Sequence, residues 1–172
     1  HMQTQVTVLV QGDVVALRTV GRGGWHLTKA LADSFHLSTD EAQRGKHKEA
    51  FVEATGRAAQ FDDQREVSEA LKAAMQPTIR ALRQAFQAVF VERHVAVSRI
   101  LLTGGGSRLR NLDSHLAACL QVQVSRFFDV DNPLPVTWPA ALQPADDDGV
   151  SLLATTASLA VAISQMSKGS TA

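Results

Sequence analysis

The feature that most constrains the fold is a short apolar run ending on three glycines, Ile100-Leu101-Leu102-Thr103-Gly104-Gly105-Gly106-Ser107. The run before the glycines is too short for a helix, and its unbroken apolar character suits a central strand buried on both faces. Such a strand needs covering layers, which the rest of the chain must supply. The next residues begin to do so: Leu109 to Leu120 reads as a helix with Leu112, Leu116 and Leu120 inside. Glycines at a strand end let a ligand or a neighbouring element approach the backbone, and the spacing leaves both uses open.

Upstream, Val6 to Val10 alternates in the strand manner, Gln11-Gly12-Asp13 reads as a turn, and Val14 to Val20 resumes β-branched sequence. This predicts a hairpin. Gly21-Arg22-Gly23-Gly24 then breaks the strand, and from Trp25 the period changes. Leu27, Ala30, Leu31 and Phe35 share one helix face. Ser38 or Thr39 opens a second short helix, with Asp40 and Glu41 favourable in its first turn. Residues 55–62 read as a loop. The longest helical pattern runs from Asp63 to Arg93, with Val67, Leu71, Met75, Ile79, Leu82, Phe86 and Val89 in one stripe. Pro77 lies inside it and predicts a kink or a restart. Val122 to Val124 is a further strand. Residues 131–149 hold four of the five prolines and the run Asp146 to Asp148, so they read as a long loop before a last helix at roughly 150–166. The order is that of an α/β domain with a mixed sheet.

Composition narrows the function classes. Lys+Arg 17 against Asp+Glu 17 gives no net charge, which argues against a nucleic-acid partner. The single cysteine, Cys119, permits no internal disulfide and suits a reducing compartment. Six histidines form neither HExxH nor a Cys/His cluster, so no metal site is expected. Val150 to Met166 is uncharged but falls short of the ~20 mostly apolar residues a membrane span needs, so no span is expected. No signal peptide is expected either; His1-Met2 reads as a cloning scar and 167–172 as a tail.

The glycines fit neither common phosphate loop. A Walker loop needs a lysine after its last glycine, and none follows Gly106; a dinucleotide loop needs a third glycine where Leu109 stands. Amides at the start of the Leu109 helix would still favour a negative or polar group. Ser107 lacks the GxSxG context and no triad spacing is present, so no catalytic residue is assigned. Trp25 and Trp138 read as buried anchors. His26, His36, His47, His94 and His115 read as surface or capping residues, and Cys119 as an inert core thiol.

Four stretches in order resemble bacterial actin-like proteins of the PilM and FtsA families. Arg18-Thr19-Val20-Gly21-Arg22-Gly23-Gly24-Trp25-His26-Leu27-Thr28 resembles their R-x-I-x-x-GG-x-x-L-T segment. Ala42-Gln43-Arg44-Gly45-Lys46 resembles the A-E-x-x-K helix, and Ile100 to Leu109 the adenosine motif. Ala157 to Ala162 resembles the closing helix. The resemblance implies the second lobe of an actin-like, ribonuclease H-like ATPase fold, subdomains 2A and 2B, over residues 3–166, with the 2B insertion at roughly 30–65. In such proteins ATP lies between two lobes, clasped on the adenosine side by residues matching Gly104, Gly105, Gly106, Ser107 and Lys46. Gln43 departs from the motif, replacing a ribose-binding carboxylate by an amide, and Gly45 and Arg22 replace apolar residues. An amide makes weaker bonds than a carboxylate because charge assistance is lost.

The phosphate loops of the family are not in this sequence, so no enzymatic activity and no bound cofactor are expected of it, with ATP left to a longer parent. The altered adenosine helix also resembles the type II secretion L (GspL) family, so secretion and pilus systems both stay open. The resemblance implies a non-catalytic scaffold of an inner-membrane assembly platform, on the cytoplasmic face of the bacterial inner membrane. Its partners would be the secretion or pilus ATPase and membrane platform proteins; a homo-oligomer stays open. The rival readings are one lobe of a nucleotide-binding, FtsA-like ATPase, and a generic α/β domain whose glycine turn only packs helix on strand.

Overall fold

The computed structural model describes residues 2–10, 13–53, 61–127 and, for the backbone alone, 161–164. The hairpin forms: β1 (Thr4–Val10) pairs antiparallel with β2 (Asp13–Val20). Its register steps from Val8↔Ala16 to Leu9↔Val14, so Val15 is the surplus residue of a bulge. The loop at 55–62, the loop at 131–149, Trp138 and both termini fall wholly or mainly outside the described residues.

Two short helices follow, α1 (Gly24–Phe35) and α2 (Thr39–Lys48). At the start of α1 the Gly23 amide donates to His26 Nδ1 at 3.1 Å, so His26 is a capping residue. At the start of α2 the Glu41 amide donates to Ser38 Oγ at 3.3 Å and the Ser38 amide donates back to the Glu41 carboxylate at 3.0 Å. This reciprocal box holds two amides that the first turn would otherwise leave open. Helix α3 (Asp62–Arg93) runs through Pro77 as one 32-residue element, rather than restarting there. Packing on both sides of the proline, through buried Met75 and Ile79, outweighs the one lost backbone bond.

The second half builds β3 (Arg99–Leu102), a 3-10 turn at Gly105–Arg108, α4 (Leu112–Leu120), β4 (Gln123–Arg126) and β5 (Val161–Ser164). The sheet order is β2-β1-β5-β3-β4, with β5 parallel to β1 and antiparallel to β3, and β3 parallel to β4. It is a mixed sheet, as expected. Val6 to Leu9 on β1 and Ile100 and Leu101 on β3 are all buried, so these two strands are covered on both faces.

Two boundaries differ from the sequence reading. Helix α4 begins at Leu112, not Leu109, because Asn111 takes a left-handed φ of 62° and Leu109 is extended. The end of the expected last helix is instead β5: Val161 and Ile163 alternate with Ala162 and Ser164, a strand period that β-branched residues favour. The matched closing-helix residues Val161 and Ala162 are therefore strand.

The core is split. One cluster joins α1, α2, α3 and α4 through Leu31, Ala42, Leu71, Met75, Ile79 and Leu116. The other joins the hairpin to the far end of α3 through Val6, Val8, Ala16, Val20 and Val89. At their seam, between α3 and the sheet, lies an apolar cavity of about 160 Å³.

Candidate functional site

The glycine turn is held by its serine. Gly104 sits at φ 84° and ψ 173°, and the Ser107 amide donates to its carbonyl at 3.0 Å. The Ser107 hydroxyl, buried, donates to the same carbonyl at 2.7 Å. The turn therefore closes on one acceptor. Gly105 and Gly106 are exposed, and a Cβ built on either meets nothing within 4 Å. No packing among the described residues demands glycine there, so their bare backbone is open to contact.

Helix α2 faces this turn. Lys46 Nζ donates to the Gly24 carbonyl at 3.1 Å and to Thr28 Oγ1 at 2.7 Å, fastening α2 to the first turn of α1. Burial holds this lysine below its ordinary value. His47 is also held low, first by burial and then by the charges of Lys46 and Arg108. Two hydrogen bonds tie the end of α2 to the segment after the glycine turn: the Val52 amide donates to the Arg110 carbonyl at 2.9 Å, and the Arg110 guanidinium donates to the Glu49 carbonyl.

Gly106 and Ser107 line one pocket together with Gly24, whose carbonyl accepts from Lys46, so the turn and the lysine named by the resemblance are linked through Gly24. Gln43 is left in solvent, one turn earlier on α2. The amides near the glycines belong to a 3-10 turn and not to the start of α4, so a helix N-terminus there is replaced by separate turn amides. His47, Arg108 and Thr103 are the residues that sequence reasoning passed over. Their positions next to Lys46, Ser107 and Gly104 were the available signal. Thr103 Oγ1 is buried with no hydrogen-bond partner among the described residues. His115, read as a surface or capping residue, is buried on α4, with Nε2 3.7 Å from Cys119 Sγ. The helix turns that face inward because it packs under α3. Among the described residues no cluster of acidic, histidine or cysteine side chains could hold a metal, and no helix is long and apolar enough to cross a membrane.

A mixed sheet whose buried strand ends on an open glycine turn, faced by a helical unit with a lysine, defines an actin-like α/β lobe. The chain belongs to the type IV pilus assembly protein PilM family, whose model matches residues 1–133. Among solved structures it is similar to a PilM-PilN type IV pilus biogenesis complex (22% identity, TM-score 0.56), covering 76% of this chain and 36% of that one. It is also similar to MreB 5 of Spiroplasma citri bound to AMPPNP (12% identity, TM-score 0.54), covering 91% of this chain and 54% of that one. The chain therefore spans little more than a third and about half of these two relatives. No curated protein sequence matches it.

Proposed function

We propose that this chain is one lobe of a non-catalytic, actin-like scaffold in type IV pilus assembly, on the cytoplasmic face of the inner membrane. The family match over residues 1–133 carries the reading. The PilM-PilN complex among its structural relatives supports a protein of the PilN kind as partner; a membrane platform setting and the assembly ATPase as a second partner are part of the proposal. Absence of turnover is supported by the adenosine helix. Gln43 offers an exposed amide where the motif has a carboxylate, and Lys46 is engaged by Gly24 and Thr28. The full-length protein with Mg-ATP is expected to release no phosphate above the blank, and to retain a PilN-type cytoplasmic peptide on resin. Turnover abolished by Gly105→Asp would sink the scaffold reading. Failure to retain the peptide would sink the platform assignment.

Nucleotide binding is the second reading, and it has its own observation. Gly105 and Gly106 are open, and the cationic Arg108 follows two residues on. These residues fit a nucleotide: the turn would meet its adenosine side, with Lys46 and Gln43 across from it. Binding to the folded state alone raises its melting temperature. A rise with Mg-ATP that Gly105→Asp removes would establish this reading, and an unchanged value would dismiss it.

A further inference from the structure

We infer that the open groove between α1, α2 and the start of α3 is a docking site for a basic, apolar segment of a protein partner. It does not rest on the pilus reading. The groove holds about 560 Å³, and Leu31, Phe35, Leu37, Phe51 and Val67 give it an apolar floor. Leu31 is buried, but Phe35, Phe51 and Val67 are only half-covered and Leu37 is 42% exposed. Apolar side chains gathered at one open concavity mark a contact surface, unlike apolar residues scattered singly.

The rim defines the kind of partner. Glu49, Asp63 and Glu66 line the groove and are exposed. None of these carboxylates pairs with a cation among the described residues. The cations in the same lining are engaged by uncharged acceptors: Lys46 donates to the Gly24 carbonyl and the Thr28 hydroxyl, and Arg110 donates to the Glu49 carbonyl. Local chemistry does not call for this arrangement. Glu49 is the C-cap of α2, where the helix dipole disfavours negative charge. Asp63 gains from the start of α3, but Glu66 stands three residues on and repels it. Asp62, beside them, has its own partner in Arg65 at 2.7 Å. A cation brought to the rim relieves these costs. An arginine or lysine flanked by apolar side chains therefore matches floor and rim together, whereas an acidic segment matches the floor alone.

The test uses the 172-residue chain and two dye-labelled synthetic peptides, one of leucine and arginine and one of leucine and glutamate, followed by fluorescence anisotropy and methyl NMR. The arginine peptide is expected to bind saturably, to shift the Leu31, Leu37 and Val67 methyls, and to weaken as salt screens the rim. The glutamate peptide should not bind. Asp63→Lys combined with Glu66→Lys should weaken the arginine peptide about tenfold, the worth of a few exposed ion pairs, and let the glutamate peptide bind. Should that double variant not fold, Glu49→Gln and Glu66→Gln take its place, each with a roughly twofold loss. No saturable binding, equal binding of the two peptides, shifts confined to other methyls, or undiminished arginine-peptide binding in the folded charge variants overturns the site. So does a dimer of the chain that the charge variants separate, since the groove would then belong to a second copy.

Discussion

At the scale of single residues, the three glycines are not equivalent. Gly104, at φ 84° and ψ 173°, occupies a region that side chains enter only with strain, whereas Gly105 and Gly106 have room for a Cβ. Gly104→Ala should therefore destabilise by about 1–3 kcal/mol. Gly105→Ala should leave stability unchanged or slightly raised, in urea unfolding of the two variants side by side. Equal losses would mean that the open glycine is structural after all. His115 gives a pH dependence. Burial first, and the Lys72 charge second, hold its imidazole below the ordinary value. Folding thus favours the neutral ring; the stability this gives is full above about pH 6.5 and is lost as pH falls through the lower folded value. His47 shifts in the same direction. His115→Leu should flatten the decline of melting temperature between roughly pH 7 and 5. A decline as steep as in the unmodified chain would assign the acid loss to other groups.

At the scale of elements, periodicity located most of the helices and strands, while their ends followed local backbone chemistry. The stripe from Val67 to Val89 marked α3, and Ser38 with Glu41 marked the start of α2. The start of α4 was misplaced because Leu109 fits the apolar period, yet Asn111 in a left-handed conformation keeps the preceding residues out of the helix. The strand β5 was hidden in a run of small residues that reads equally well as helix; its place between β1 and β3 is settled by long-range pairing that no local window contains. Pro77 makes the same point from the other side. It sits within α3 at a cost that packing absorbs. Pro77→Ala should restore a backbone donor and stabilise the chain by about 1–3 kcal/mol, read as a higher urea midpoint. A lower midpoint would show that the proline shapes the helix to its site.

At the scale of the molecule, the strand, glycine turn and helix sufficed for the fold class, because a buried strand can be covered in few ways. The division into two core clusters was not legible. It depends on which face of α3 meets which element, and one stripe serves both. The candidate site was half legible: Lys46 and the glycines come from motif positions, whereas His47 and Arg108 stand beside them in the sequence without belonging to a motif. Whole-chain charge gives a further expectation. With Lys+Arg 17 against Asp+Glu 17, the chain has no excess of basic residues to hold it on an anionic bilayer. Anionic vesicles at about 0.15 M salt should leave the chain in the dense fraction of a flotation gradient, since basic clusters are what bind such surfaces. Flotation of the chain alone would give it a lipid affinity of its own.

Strand β2 has a neighbour on one side only among the described strands, and Val14 and Leu17 stand 63% and 58% exposed on it. Such a border invites a second sheet to grow onto it. Arg18 discourages this: its guanidinium donates to the Leu17 carbonyl at 3.1 Å and reaches the Glu92 carboxylate at 3.4 Å, setting a charge on the rim. The surplus Val15 adds a bend that a straight newcomer would not match. Along this margin one arginine and one extra valine oppose the addition of a further strand.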